Sequence, residues 1–309
     1  MNEYKTSQGF EQAVKAAAEK TDRPTDIILG EYWRSRLLAR LFCVENPGFV
    51  LKGGSGILAR IPEARLTHDL DLMAPSEFED SKAIDELVML VKKDLGDFCR
   101  FDLTSASPMQ KETDYRHGYN LRFKMHIGTK EVTSLIKVDL VFGCRPTAPI
   151  EKIMPKNIEG FPFSDFEYLT YPLVDHVADK VCAIMEKHTK DSESSRVKDL
   201  VDLSVIACNE SFDLKPLTLA LHSEFRMRGI SLPKEFKVPD GWNSYPDRYR
   251  SLMKVVVLDR QYHDQSLAIE LVKGFVDPAF ANTQENKTWD PIKRDWATKT
   301  YNRNSLQKR

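Results

Sequence analysis

Two aspartates separated by one residue are the sharpest chemical feature of this sequence. Asp69 and Asp71 lie in LTHDLDLM, residues 66–73, a short apolar segment that predicts a strand. Alternate residues of a strand point to the same face, so both carboxylates share one face and Leu70 and Leu72 point to the other. Their hard oxygens suit Mg²⁺ or Mn²⁺, although a D-x-D pair alone is more often a solvated surface pair.

A glycine-serine turn and a third carboxylate favour the metal interpretation. Gly53, Gly54 and Ser55 come where a predicted strand turns into a helix, so that the backbone can approach an anion; the alternative is an ordinary tight turn. Asp139 lies in the apolar strand LIKVDLVF, where an acid needs a partner or a metal. Three strand-borne aspartates beside such a turn indicate two-metal phosphoryl or nucleotidyl transfer.

Two later helical segments also carry charged residues at regular spacing. Lys180, in DHVADKVCAI, lies at the edge of an apolar stripe, where it either extends to solvent or neutralises a phosphate. In RVKDLVDL, Arg196 and Asp199 are three residues apart and can pair, and Asp202 follows one turn later. An ordinary ion pair on a helix surface is the alternative for this second segment.

Together these motifs resemble the nucleotidyltransferase fold of the polymerase-β superfamily and, more closely, the AbiEii/MenT family of bacterial toxins. That family combines a GGS or GGT turn and an (S/T)-x-D-(I/L)-D-L strand with a lysine helix and an R-x-K-D-x-x-D-L helix. The matching segments extend from about residue 50 to residue 203. The resemblance implies that Lys180 and Asp199 belong to the active site, with Asp202 as a secondary member.

The proposed mechanism assigns the candidate residues to three groups. The first group holds Mg²⁺ or Mn²⁺ and comprises Asp69, Asp71 and Asp139. The second group binds the triphosphate of a nucleoside triphosphate and comprises Gly53, Gly54, Ser55, Arg65 and Lys180. The third is the helical pair Lys180 and Asp199. Arg65 is equally consistent with an exposed arginine at the start of the strand.

The function implied by the resemblance is nucleotide transfer from a nucleoside triphosphate, by the toxin of a toxin–antitoxin or phage-defence system. The expected acceptor is the 3′ end of tRNA, and the expected protein partner is a cognate antitoxin. A nucleotidyltransferase acting on a small molecule, of the aminoglycoside type, is one alternative, but it does not predict the lysine helix followed by R-x-K-D. A non-catalytic nucleotide-binding regulator is another, which the presence of all three carboxylates disfavours.

The order of elements predicts an α+β protein with strands first and helices second. Helices are predicted over residues 8–21 and 26–43, and a hairpin turns around Gly128-Thr129. We therefore expect a nucleotidyltransferase domain over residues 1–160, with a mixed sheet and flanking helices, and a mainly helical domain over 161–309. The helical domain is expected to complete the active site, placing that site between the two domains.

Composition limits the remaining possibilities. The 309 residues are 41% hydrophobic and 29% charged, which excludes a disordered chain. Lysine and arginine number 45 against 46 acidic residues, so a nucleic-acid contact requires a local patch, such as the basic and aromatic tail after Thr283. No segment predicts a membrane span or a signal peptide, so we expect a cytoplasmic protein. The five widely spaced cysteines predict reduced thiols.

Overall fold

The computed structural model describes residues 4–21, 23–75, 78–109, 117–156, 160–163, 166–186, 194–244, 246–281 and 285–298. The chain divides into two compact units, Met1–Pro172 and Leu173–Arg309. The expected domain boundary after residue 160 precedes a strand that pairs in the sheet of the first unit, so the observed division falls later in the chain.

The first unit combines helices with one large sheet. Its helices are α1 (Ser7–Ala18), α2 (Thr25–Phe42), α3 (Gly53–Arg60) and α4 (Asp80–Val91). Its strands are β1 (Val50–Lys52), β2 (Asp69–Met73), β3 (Cys99–Pro108), β4 (His117–Ile127), β5 (Lys130–Glu131), β6 (Ile136–Phe142), β7 (Glu151–Ile153) and β8 (Tyr168–Thr170). The strand order is β3-β4-β6-β2-β1-β8-β7, with β5 paired to β4.

This sheet is mixed, and its central pair is parallel. Strand β2 pairs with β6 in parallel and with β1 antiparallel, while β1 also pairs with β8 in parallel. One face of the sheet packs on a buried apolar core that includes Leu70, Leu72, Val138 and Leu140. Because side chains alternate along each strand, the polar residues between these positions lie together on the opposite face, which we call the open face.

A buried ion cluster joins α2 to the start of β3. The Arg36 Nε and Arg40 Nη1 atoms both donate to Asp97 Oδ2, at 2.9 Å each. All three side chains are almost completely buried. A buried charge needs this kind of compensation, because an unpaired one would be costly to desolvate.

The second unit is mainly helical. Its helices are α5 (Leu173–Met185), α6 (Val197–Asn209), α7 (Leu214–Met227), α8 (Pro246–Met253) and α9 (Gln265–Phe280), with short 3-10 turns at Asp240–Ser244 and Arg260–His263. It also has the strands β9 (Phe212–Asp213), β10 (Lys287–Asp290) and β11 (Asp295–Thr298), in the order β11-β10-β9. No helix of the described residues is both long and apolar enough to cross a bilayer.

The α+β class, with a mixed sheet, flanking helices and a mainly helical second part, is confirmed. The small second sheet was not predicted, because its strands are only two to four residues long. The tail tryptophans pack against this unit, although Trp296 is only partly buried. Trp289 is buried, and its Nε1 donates to the Ala207 carbonyl at 2.7 Å. The part of the predicted basic and aromatic tail that follows Thr298 lies outside the described residues.

Candidate active site

Three aspartates share the open face of the large sheet. In β2 the burial alternates, so that Leu70 and Leu72 are buried while Asp69 and Asp71 are partly exposed. The parallel pairing of β2 with β6 sets Asp71 opposite Asp139. Adjacent strands are about 4.8 Å apart, so these two carboxylates are neighbours across the strand pair. The sheet therefore brings together the three carboxylates that the sequence predicts.

The turn between β1 and α3 packs directly against Asp71. Gly53 has a φ of +58°, and a Cβ added there would lie 1.9 Å from Asp71 Oδ2. A side chain at this position would therefore be both strained and in collision with the carboxylate. The helix α3 begins at Gly53, and the amide groups of its first turn have no partners within the helix. These amides and the Asp71 carboxylate occupy the same corner of the unit.

Ser55 and Arg65 support this corner in different ways. Ser55 is buried, and its hydroxyl donates to the Asp69 carbonyl at 3.0 Å. Its hydroxyl thus fixes the start of β2, and its backbone N–H remains the group that suits a phosphate. Arg65 lies beside the turn, because a Cβ on Gly54 would be 3.2 Å from Arg65 Nη2. The guanidinium therefore borders the predicted triphosphate position.

The donor set fits a divalent metal ion in type. Asp69 Oδ1 is buried and accepts no hydrogen bond within the described residues; Lys137 Nζ is 3.7 Å away. No three acidic, histidine or cysteine side chains in the described part of the chain are arranged as a complete metal site. Mg²⁺ sites commonly use one or two protein carboxylates and complete the shell with substrate phosphates and water, so the carboxylate set suits such an ion.

Lys52 is a candidate that the sequence reasoning missed. It stands opposite Asp71 in the pairing of β1 with β2. The side chain is buried, with Nζ 4.5 Å from the centre of the Tyr171 ring and 3.4 Å from Cys144 Sγ. The available signal was a lysine ending an apolar strand directly before the two glycines. A buried ammonium next to the carboxylate strand contributes positive charge to this part of the unit.

The second unit contains its own charged cluster. Lys180 Nζ donates to Asp199 Oδ1 at 2.9 Å and to Asp202 Oδ2 at 2.6 Å. Arg196 Nε lies 3.0 Å from Asp199 Oδ2. Lys180, Asp199 and Asp202 are all buried, so Lys180 is not a solvated surface lysine. The spacing of three residues places Asp199 and Asp202 on one face of α6, where a single ammonium reaches both.

Comparison with known proteins identifies the family. The chain matches the family described as nucleotidyl transferase AbiEii toxin, type IV toxin–antitoxin system, over residues 36–296. This range covers most of the chain, and the protein belongs to the AbiEii family. It is therefore a nucleotidyltransferase toxin of a type IV toxin–antitoxin system, whose substrates include a nucleotide and whose biology includes an antitoxin.

Two solved structures match this chain at low sequence identity. MenT4, the nucleotidyltransferase toxin Rv2826c of Mycobacterium tuberculosis H37Rv, is 19% identical, with a TM-score of 0.49, and the match covers 87% of this chain and 97% of that one. JHP933 from Helicobacter pylori is 16% identical, with a TM-score of 0.42, and the match covers 82% of this chain and 93% of that one. Comparison with curated proteins finds no match.

Proposed function

We propose that this toxin transfers a nucleotide from a nucleoside triphosphate to the 3′ end of tRNA, in a reaction that requires Mg²⁺ or Mn²⁺. The observation that carries the proposal is the in-register pair of Asp71 and Asp139, with Asp71 packed against the Gly53 turn. This arrangement puts metal-type ligands beside the free amides of a helix start. A triphosphate is bound by both kinds of group, because a metal ion and backbone amides each compensate phosphate charge.

In the proposed reaction, Asp69, Asp71 and Asp139 hold the metal ion. When bound, the ion neutralises charge on the triphosphate. The amides of Gly53, Gly54 and Ser55 bind the β and γ phosphates, and Arg65 and Lys180 offset their charge. Asp199 and Asp202 fix the Lys180 ammonium. These assignments extend to this chain the roles that its family implies.

The bond changes are those of nucleotidyl transfer. A hydroxyl oxygen of the acceptor forms a bond to the α-phosphorus, and the bond from that phosphorus to the oxygen bridging the α and β phosphates breaks. Pyrophosphate leaves with the electron pair of the broken bond, and Asp139 accepts the proton of the hydroxyl. Growth arrest follows when the modified acceptor no longer serves translation, which would also limit phage growth.

A pair of like charges next to the carboxylates favours a polyanionic acceptor. Arg122 of β4 stands directly opposite Lys137 of β6, and Lys137 in turn stands beside Asp69 of β2. Arg122 and Lys137 are exposed, and Arg122 forms no ion pair within the described residues. Like charges directly across a strand pair destabilise a sheet, so this basic pair is better explained by a bound polyanion such as RNA.

The test is transfer of labelled nucleotide by the purified full-length protein. Each of the four nucleoside triphosphates, labelled at the α-phosphate, is incubated with Mg²⁺ and total tRNA, and the RNA is separated on a gel. We expect label on tRNA with the natural chain and with Asp85→Asn, an exposed control on α4, and none with Asp71→Asn. Sequencing of the labelled 3′ ends identifies the added nucleotide.

Other outcomes would contradict the proposal at different points. Label on a small molecule but not on RNA would favour the aminoglycoside-type alternative. Nucleotide binding without release of pyrophosphate would indicate a non-catalytic regulator. Activity that survives Asp71→Asn would overturn the carboxylate assignment, and transfer without any divalent metal would overturn the metal requirement.

A further inference from the structure

The first unit contains a pocket to which the proposed mechanism assigns no ligand. Its volume is about 390 Å³, within the range of small-molecule sites. Leu70 of β2 lines it, and Leu70 alternates with the carboxylates, so the pocket lies on the core side of that strand. Helices α2 and α3 form two of its walls. The pocket is therefore distinct from the open face that carries Asp69, Asp71 and Asp139.

Two oppositely charged residues of α2 face this pocket without pairing. Glu31 and Arg34 are three residues apart, a spacing that allows an ion pair on a helix. Within the described residues, however, neither forms an ion pair, and the buried Glu31 Oε2 atom has no hydrogen-bond partner. A half-buried carboxylate with one unsatisfied buried oxygen, near a guanidinium that makes no ion pair in the described part of the chain, is costly, so the pocket is poised for a ligand that satisfies both.

Burial shifts the pKa values of both residues of this pair away from their ordinary values. Burial raises the pKa of Glu31, against the attraction of Arg23 and Arg34. Burial also lowers the pKa of Arg34, against the attraction of Glu31 and Asp69. Both charged forms therefore lose hydration without gaining a direct partner. A bound group with a hydrogen-bond donor and an acceptor on one edge would compensate the two residues together.

Aromatic side chains supply the rest of the pocket. Tyr32 and Phe161 stack on each other with ring centres 4.8 Å apart and planes at 28°. Phe163 and Tyr168 also line the cavity. Aromatic walls of this kind favour a flat ring, because stacking buries a large area with few lost rotamers. A flat ring with an adjacent donor and acceptor is the chemistry of a nucleobase.

We propose that this pocket binds a nucleobase, with a base N–H donating to Glu31 and a base nitrogen or carbonyl accepting from Arg34. This proposal rests on the proposed function for the molecule that supplies the base, because both the nucleoside triphosphate and the RNA acceptor carry bases. The pocket also touches the catalytic strand: Ser55 and Thr67 line it, and both hydroxyls donate to the Asp69 carbonyl. A ligand in the pocket would therefore lie next to the two side chains that hold the Asp69 carbonyl in place.

The test begins with binding of nucleosides, which lack phosphate and so do not require the triphosphate site. Adenosine, guanosine, cytidine and uridine are titrated into the full-length protein by calorimetry. At least one is expected to bind, about tenfold more weakly to Glu31→Gln and to Arg34→Met. Glu19→Gln, an exposed residue at the end of α1, and Arg248→Met, exposed in the second unit, should leave the affinity unchanged. Thermal melting confirms that each variant is folded.

Steady-state kinetics with the same variants identify the source of the base. A higher KM for the triphosphate indicates the base of the incoming nucleotide, and a higher KM for RNA indicates a base of the acceptor. The proposal is overturned if no nucleoside binds at millimolar concentration, or if Glu31→Gln and Arg34→Met bind as the natural protein does. Nucleoside binding that depends on Glu31 in a protein without transfer activity would contradict only the proposed function.

Discussion

At the scale of single residues, the contact between Gly53 and Asp71 is the most constrained feature of the proposed site. Replacing Gly53 by alanine places a methyl group where Asp71 Oδ2 lies. We expect Gly53→Ala to lose about 1–3 kcal/mol of stability through the backbone conformation and to reduce kcat by more than about tenfold through displacement of Asp71. Chemical denaturation and single-turnover kinetics measure the two effects.

Gly96→Ala is the matched control for this prediction. Gly96 has a φ of +69°, similar to that of Gly53, but a Cβ added there meets no atom within 4 Å. Its substitution should show the backbone strain without the loss of activity. Equal activity of the two variants would show that the position of Asp71 does not matter for transfer.

Lys180 provides a second prediction at this scale. Lys180→Met leaves Asp199 and Asp202 buried without the ammonium that contacts both. We expect a loss of about 3–5 kcal/mol, because breaking a buried charge cluster exposes the cost of its unpaired members. Denaturant unfolding measures this loss.

Lys198 offers the control on the same helix. It is exposed, so Lys198→Met removes an equal charge without uncovering a buried acid. This variant should unfold within about 0.5 kcal/mol of the natural protein. A similar loss in both variants would indicate an effect of net charge and would contradict the role assigned to Lys180.

At the scale of elements, the like charges that face each other across β4 and β6 are expected to lower the stability of the sheet and to favour RNA binding. Arg122→Gln and Lys137→Gln each remove one member of the basic pair. We expect Arg122→Gln to raise stability at low salt by about 0.2–1 kcal/mol, and both variants to weaken RNA binding and to reduce the slope of log K against log salt by about one. Filter binding over a salt series measures the slope. Lys93→Gln, exposed after α4, should change neither quantity.

The sequence predicts the elements well where periodicity and packing agree. Helix α2 and strand β6 have clear apolar repeats and form close to their predicted bounds. The sequence places a strand-to-helix turn at Gly53, Gly54 and Ser55, but only the geometry shows that the helix begins at Gly53 itself, with a left-handed φ against Asp71. The short strands β7 and β8 carry too few residues for a period to be visible.

The candidate site, like the fold, follows from the sequence only in part. Asp69 and Asp71 are two positions apart in sequence, so the period of a strand suffices to place them on one face. The pairing of Asp71 with Asp139 depends on strand register, which comes from tertiary packing. Glu31, Arg34 and Lys52 gave no motif, because their significance lies in which groups surround them after folding.

At the scale of the whole molecule, the buried Asp97 and the half-buried Glu31 give stability opposite dependences on pH. Burial alone would raise the pKa of Asp97, but hydrogen bonds and charge from Arg40 and Arg36 lower it. Asp97 therefore contributes stability above its unfolded pKa of about 3.9, and this contribution is lost as pH falls through the lower folded value. The pKa of Glu31 is raised, so stability falls as pH rises from about 4.3 towards its folded value.

Unfolding free energies measured from pH 3 to pH 8 test this pair. Asp97→Asn should cost about 3–5 kcal/mol at pH 7 and less under acidic conditions, because it leaves two buried arginines without their anion. Glu31→Gln should stabilise the protein relative to the natural chain, increasingly so towards pH 7. Glu19→Gln should follow the natural curve. A Glu31→Gln variant that is less stable at pH 7 would contradict the unsatisfied state of this carboxylate.

The near balance of 45 basic and 46 acidic residues thus conceals an uneven distribution. Some acids are gathered on the open face, where Asp69 and Asp71 of β2 lie beside Lys137 and Asp139 of β6. Others compensate buried cations, as Asp199 and Asp202 do for Lys180. Net charge is therefore a poor guide to whether a surface of the protein suits a polyanion, because the local placement of charges decides it.

The parallel pairing of β2 with β6 has a consequence for how a cell could tolerate synthesis of this toxin. Strands β3, β4 and β5 lie between the two in the chain, so Asp71 and Asp139 meet only after a long loop has closed. Such distant contacts form late, because the chain entropy is lost before the pairing is gained. A growing polypeptide therefore carries no assembled carboxylate pair until β6 has left the ribosome and joined the sheet. We therefore expect the proposed site to become active only after this folding step.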